Sequence, residues 1–267
     1  MMHPLIDTHA HLYSRKFEHD RHEMMRRAFA AGVEWICLPN IDAESVEPML
    51  ELEAAFPDHC AAAMGLHPCS VQPDSWEQEL ANVERLLSTR AWAGIGETGI
   101  DLYWDKTTLP LQQIAFARHI EWAKDLNLPL IVHSRESNRE CLDLVRAGQD
   151  GRLRGIFHCF SGTLDEALEI IDLGFMLGVG GTVTYPKSNL PDVLKQVPLA
   201  SIVLETDAPY LPPVPHRGKR NESAFIRHVA DMLSEIRVQP TAEIARITTE
   251  NARRIFGLTL QNSESPI

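Results

Sequence analysis

Long apolar runs are missing from this chain: no stretch of about 18 consecutive apolar residues occurs. The start also lacks a basic segment followed by an apolar one, so neither a membrane span nor a secretory leader is expected. Cysteine is scarce. The five present (Cys37, Cys60, Cys69, Cys141 and Cys159) are odd in number and nowhere spaced as CxxC. Cys37, Cys60 and Cys159 lie in apolar segments and are expected as buried free thiols, in a reduced, cytoplasmic protein. Positive charge is short as well. Twenty-five Lys and Arg against 37 Asp and Glu leave a net charge of −12, which excludes a protein that coats nucleic acid through a broad basic surface. An enzyme that handles a phosphodiester is not excluded, because metal ions and a few local arginines can neutralise charge that the surface does not. Linkers, low-complexity tracts and internal repeats are also missing. Residues 1–260 therefore read as one domain, and the Ser/Asn/Pro-tinged tail 261–267 is expected to be disordered.

What is present is an alternation of short apolar runs with longer amphipathic ones. Strands are expected at Leu5–His9, Trp35–Pro39, Ala61–Leu66, Ala91–Gly96, Leu130–His133, Gly155–His158, Phe175–Val179 and Ile202–Glu205. Helices are expected between them: Glu18–Ala31, Ser45–Ala55, Ser75–Ser88, Leu109–Leu126, Glu136–Ala147, Thr163–Leu173 and Pro191–Val197. Two more follow at Phe225–Ile236 and Thr241–Phe256, the last with Thr241 as its N-cap. Eight strands with crossovers of helical length imply parallel βαβ units. A doubly wound sheet would favour a Gly-rich turn after the first strand, and there is none. A single (β/α)8 TIM barrel is the expected α/β fold, with a metal site at the C-terminal ends of its strands.

Polar residues follow those strand ends. In Asp7-Thr8-His9-Ala10-His11 the two imidazoles stand at i and i+2, the strand spacing that turns both the same way. Glu97 follows the fourth strand, His133 the fifth, His158 the sixth and Asp207 the eighth. Any one of these histidines alone is more often a hydrogen-bonded core or surface residue than a ligand. Six candidates at strand ends instead describe ligands for two divalent ions. The nitrogen-rich mix suits Zn²⁺ or Mn²⁺ better than Mg²⁺. Two ions about 3.5–4 Å apart polarise a scissile group and acidify a bridging water. Glu97 is placed to bridge them, and Asp207 to orient or deprotonate the water. The remaining histidines His19, His22, His59, His119 and His228 lie in helical or polar stretches and read as surface. Phe116, Ile120 and Trp122 read as core.

The segments IDTHAHL (6–12), MGLHP (64–68), GIGETGID (94–101), YWDK (103–106), LNLPLIVHSRES (126–137), FHCFSG (157–162) and LETDAPYLPPVPHRGKRNES (204–223) resemble the TatD-like metal-dependent DNases of the amidohydrolase-like barrel superfamily. The resemblance runs from residue 6 to about 256, with the pieces in order. It implies a (β/α)8 barrel and metal-dependent phosphodiester hydrolysis on DNA, from a 3′ end of single-stranded or frayed substrate. By position, His9, His11, Glu97, His133, His158 and Asp207 match the family's ligands, and Glu205 matches an acidic residue close to the catalytic site. Thr98 departs from the aliphatic residue common in the family and is expected to tune packing beside Glu97. Many barrel cousins bridge their metals with a carbamylated lysine near this point. Here Glu97 stands there, and the nearest lysine, Lys106, lies nine residues on.

Candidate substrate contacts surround this set. Arg135 shares the strand-end direction of His133 and suits a phosphate, or else pairs with Glu136 or Glu140. His67 ends the third strand. Tyr103 and Trp104 can stack an unpaired base or pack their own loop. His216, Arg217, Lys219 and Arg220, behind Pro212, Pro213 and Pro215, form the most basic segment and a candidate rim for a nucleic-acid backbone. The expected partner is a single-stranded DNA substrate; the sequence points to no membrane and no obligate protein partner. Two rivals remain open: an ester or amide hydrolase, such as a D-aminoacyl-tRNA deacylase, and a non-catalytic metal- or nucleic-acid-binding module.

Overall fold

The computed structural model describes residues 3–258, so the tail 261–267 lies outside the described residues. Eight strands run in chain order: β1 (Leu5–Asp7), β2 (Val33–Pro39), β3 (Cys60–Ala63), β4 (Ile95–Asp101), β5 (Leu130–Arg135), β6 (Gly155–Phe157), β7 (Phe175–Val179) and β8 (Ile202–Leu204). Helices alternate with them: α1 (Arg21–Ala30), α2 (Ala43–Ala55), α3 (Trp76–Leu87), α4 (Leu109–Asp125), α5 (Asn138–Gly148), α6 (Leu164–Asp172) and α7 (Leu190–Leu194). Helices α8 (Ile226–Arg237) and α9 (Thr241–Phe256) follow β8. The strands are parallel and pair with their sequence neighbours within β1–β3 and β4–β8. Single bridges, Met64 to Ile95 and Ala10 to Ala208, join the two sets into a closed (β/α)8 barrel. Among the described residues no helix is long and apolar enough to cross a membrane.

Alternation along the strands sorts the core into two parts. Leu130, Val132, Phe157, Leu177, Ile202 and Leu204 belong to the large cluster shared with the helices. Ile6, Trp35, Cys37, Ala63, Ile131, Ile156, Met176 and Val203 meet in a second cluster with Ala252, Ile255 and Phe256 of α9. A residue two beyond each inner apolar position faces the same way. So Ile131 leads to His133, Ile156 to His158 and Val203 to Glu205, which places polar groups above a dry apolar floor.

Several boundaries differ from expectation. Strand β1 stops at Asp7 because the next amides alternate between neighbours: Thr8 donates to Leu204, Ala10 to Cys37 and His11 to Ala208. Strand β4 starts later than expected and runs on to Asp101, so Glu97 lies inside it rather than past its end. Its polar Glu97, Thr98 and Asp101 resemble a loop in sequence yet are all buried. The helix expected from Glu18 starts at Arg21 after a 3-10 turn, and the one expected from Glu136 starts at Asn138 because Glu136 has φ +55°. Helix α7 is only five residues long, and Pro240, not Thr241, caps α9. The five cysteines are free: Cys37, Cys60 and Cys141 are buried, Cys159 is half-buried and Cys69 is exposed. His119 is buried, not at the surface. On α4 its Nδ1 donates to the Ala115 carbonyl (2.7 Å) and its Nε2 accepts the Leu66 amide (3.0 Å). Two backbone partners satisfy a neutral imidazole completely, which is why it tolerates burial.

Candidate metal centre

The six expected ligands converge at one end of the barrel. His9 Nε2 lies 3.2 Å from His11 Nε2 and 3.1 Å from Glu97 Oε2. Asp207 reaches the same pair from beyond β8, its Oδ1 standing 3.8 Å from His9 and 3.6 Å from His11. The other oxygen of Glu97, Oε1, lies 2.7 Å from His133 Nδ1 and 2.8 Å from His158 Nε2. Glu97 therefore faces both halves of the cluster. Three overlapping groups hold their ligand atoms within 4.8 Å of one another: His9–Glu97–His158, His9–His11–Asp207 and His67–Glu97–His133.

This arrangement fits cations. Imidazole nitrogens and carboxylate oxygens face each other with too few hydrogens to satisfy every contact, and a divalent ion accepts such converging lone pairs. His9 Nδ1, His158 Nδ1 and Glu205 Oε2 are buried without a hydrogen-bond partner. The floor below excludes water, which strengthens every charge interaction here.

Electrostatics follow from that crowding. Burial pushes the Glu97 carboxyl up, but His158, His67, His9 and His11 outweigh it and hold the acid well below its usual range. Burial raises Asp207 to about 6 against the pull of His158 and His11. Burial and His158 drive His9 well below the ordinary imidazole value. Asp207 and Cys159 both adopt left-handed backbone (φ +57° and +46°), an uncommon conformation for non-glycine residues that here accompanies two of the expected ligand segments.

Further residues, not singled out in the sequence analysis as site residues, hold the expected ligands. Asp101 Oδ2 lies 3.0 Å from His133 Nε2, and its Oδ1 accepts the amides of Tyr103 and Trp104. Burial raises its carboxyl, yet the hydrogen bonds from His133 and those amides prevail and hold it at about 2. Tyr13 lies 2.9 Å from His11 Nδ1 and donates to the Pro39 carbonyl. Asp7, fully buried, accepts from the Thr206 amide and from the Thr206 and Ser223 hydroxyls, tying β1 to the segment that carries Asp207. Reading β4 through to residue 101 would have revealed Asp101, since Glu97, Gly99 and Asp101 share one strand face. Gly99 is required there: at φ +140°, a side chain would overlap the His133 carbonyl.

The expected substrate residues fall in different places. His67 Nε2 lies 3.4 Å from Glu97 Oε1, so it borders the cluster itself. Arg135 is exposed, its guanidinium 3.7 Å above the Tyr103 ring and 5.5 Å from that of Trp104, with no carboxylate partner among the described residues. Tyr103 and Trp104 are 49% and 70% exposed, so neither packs its own loop down. His216 stacks on Phe225 (3.7 Å) and contacts His228 Nε2 (3.1 Å), so its ring neighbours are these two residues rather than the six expected ligands. Arg217 is exposed and lies over the Tyr185 ring. Arg220 is bound by Asp20 (2.6 and 2.7 Å) and lies over Phe17. Glu205 is fully buried; its Oε1 accepts the Cys159 amide at 2.6 Å and lies 3.5 Å from His158 Nδ1.

Known proteins share this architecture. The family model described as TatD related DNase matches residues 6–257. The chain is 36% identical over 253 residues to the uncharacterized metal-dependent hydrolase YabD of Bacillus subtilis, covering 94% of this chain and 98% of that protein. It is 32% identical over 262 residues to the 3′-5′ ssDNA/RNA exonuclease TatD of Yersinia pseudotuberculosis, covering 95% of this chain and 100% of the relative. The crystal structure of YjjV, a TatD homolog from Escherichia coli, matches with a TM-score of 0.88 at 33% identity, over 97% of this chain and 100% of that one.

Proposed function

Because the chain belongs to the TatD-related DNase family and is a metal-dependent hydrolase, we propose that it cleaves phosphodiester bonds of single-stranded DNA from the 3′ end. His9, His11, Glu97, His133, His158 and Asp207 would hold the two divalent cations of this reaction. The observation that carries this reading is the meeting of those six side chains around Glu97, whose two oxygens face opposite halves of the cluster. The 3′-5′ direction and the single-stranded substrate draw support from the activity named for the Yersinia relative. Bound divalent cations supply positive charge to a phosphoryl group and acidify a nearby water.

The chain's own residues do the rest. Asp207, reaching over the seam between β1 and β8, orients the attacking water and accepts its proton. The water oxygen bonds to phosphorus as the bond to the leaving 3′ oxygen breaks; that oxygen departs with the electron pair and takes up a proton from solvent. Glu205 acts from below by holding the Cys159 amide and so the backbone next to His158. Arg135 and His67 contact the phosphate, Tyr103 the adjoining base, and Arg217 extends the positive rim. His216 braces that rim through Phe225.

The test is hydrolysis of 3′-labelled and 5′-labelled single-stranded DNA by chelator-treated protein after return of Mg²⁺, Mn²⁺ or Zn²⁺. Metal-dependent stepwise loss from the 3′ end, abolished in Glu97→Ala, is expected. Inert DNA beside metal-dependent cleavage of an ester or amide would replace the nuclease reading with the acyl-hydrolase one.

A further inference from the structure

Asp101 is buried on β4, four residues past Glu97 and on the same strand face. Its two oxygens do different things. Oδ2 lies 3.0 Å from His133 Nε2, and an ionised carboxylate only accepts, so the imidazole donates from Nε2. The lone pair of His133 then falls on Nδ1, which faces Glu97 Oε1 at 2.7 Å and His158 Nε2 at 3.3 Å. A hydrogen on Nδ1 would instead be bound to Glu97 and would bar a cation from that nitrogen. The second oxygen, Oδ1, accepts the amides of Tyr103 (3.0 Å) and Trp104 (3.1 Å), making the turn from which both rings project. Arg135, stacked on Tyr103, pairs with Asp101 in the register of β4 and β5. Gln112 clamps the backbone of Asp101 on both sides, accepting its amide at 2.8 Å and donating to its carbonyl at 3.2 Å.

We propose that Asp101 is a positioning residue: one oxygen fixes the His133 tautomer that leaves Nδ1 free for a cation, and the other fixes the Tyr103–Trp104–Arg135 rim. A single carboxylate thereby holds the metal position and the substrate rim in one register. The inference rests on the reading of His133 as a metal ligand. Partners of this kind orient ligand imidazoles, and their loss costs about 10–100-fold in metal affinity.

Three readouts on the zinc-loaded protein test it. In wild type, long-range ¹⁵N correlations of the imidazole should show His133 protonated at Nε2, whereas protonation at Nδ1 would overturn the proposal without any variant. In Asp101→Asn the amide oxygen still serves Tyr103 and Trp104, but an NH₂ now meets His133. Zinc affinity should fall about 10–100-fold while the Tyr103 and Trp104 amides keep their protection from hydrogen exchange. Asp101→Ala should lose both. Wild-type zinc affinity in Asp101→Asn overturns the tautomer role, and amides equally unprotected in both variants overturn the division between the oxygens. A wild-type protein that holds no zinc would sink the metal reading and this proposal together. Zinc held as tightly by Asp101→Asn sinks this proposal alone.

Discussion

His119 sets a limit on what a single residue's surroundings in sequence reveal. It follows Arg118 and stands two residues before Glu121 on α4, yet its ring is buried and its Nε2 accepts an amide hydrogen. Burial lowers its pKa from 6.5 to about 4, with the Ala115 carbonyl opposing. The folded value is below the unfolded one, so the unfolded chain takes up the proton first as pH falls. Stability from this group is therefore complete above about pH 6.5 and drains as pH falls towards 4, by up to about 1.4 kcal/mol per pH unit. Urea unfolding at pH 7, 5.5 and 4.5 should show wild type losing more stability on acidification than His119→Gln, which has no imidazole at this position. A gap between the two that does not change with pH would show that His119 takes up its proton alike in the folded and unfolded chains, and that burial does not depress it. The six candidate ligands were legible because polar imidazoles and carboxylates interrupt or follow the apolar strand runs. His119 and Asp101 were not, because one hides among helix charges and the other lies in a strand read as ending at Gly96.

At the scale of elements, the basic segment after β8 divides into two parts that sequence shows as one run of charge. Arg220 is a bolt. It binds Asp20, Asp20 also binds Arg27, and Arg27 binds Glu222, which pins the loop to α1. The Asp20 carboxyl is held at about 2, chiefly by the Arg220 hydrogen bond. Asn221 adds two bonds to the Thr206 and Tyr210 carbonyls, next to Asp207. Arg217 and Lys219 are exposed. A substrate-facing rim and an anchoring network respond differently to salt. Arg217→Ala should lower the slope of log affinity against log salt for single-stranded DNA by about 0.7, one phosphate contact, with stability unchanged. Arg220→Ala should leave that slope alone and cost roughly 1 kcal/mol of stability, as partly exposed ion pairs do. Equal slopes in wild type and Arg217→Ala would return residue 217 to an ordinary solvated face. Charge composition marks the segment but cannot divide it, since the division depends on Asp20, 200 residues away.

For the whole molecule, the decisive feature is where the ring closes. β1 and β8 meet through Thr8 to Leu204, Asp207 to His9 and His11 to Ala208, while Asp7 grips Thr206 and Ser223. The candidate ligand cluster straddles that seam, with His9 and His11 on one side and Asp207 on the other, and Glu97 of β4, His133 of β5 and His158 just past β6 complete it. Alternating apolar runs announce such a barrel in sequence, because each strand needs an inner and an outer apolar face. They do not announce the seam, which is built from backbone amides and one buried carboxylate. A cation bound across this closure must favour the folded chain, since the unfolded chain cannot assemble ligands so far apart in sequence. At a free concentration of about 100 times Kd the stabilisation is roughly 2.7 kcal/mol per site. For a domain of this size that corresponds to a rise in Tm of roughly 5–10 °C. Thermal unfolding of chelator-treated protein should therefore show a Tm that climbs with added Zn²⁺ or Mn²⁺, and Glu97→Ala should lose most of the climb. A Tm indifferent to both ions would mean that the folded cluster binds no cation, and the hydrolytic reading of the site would fall with it.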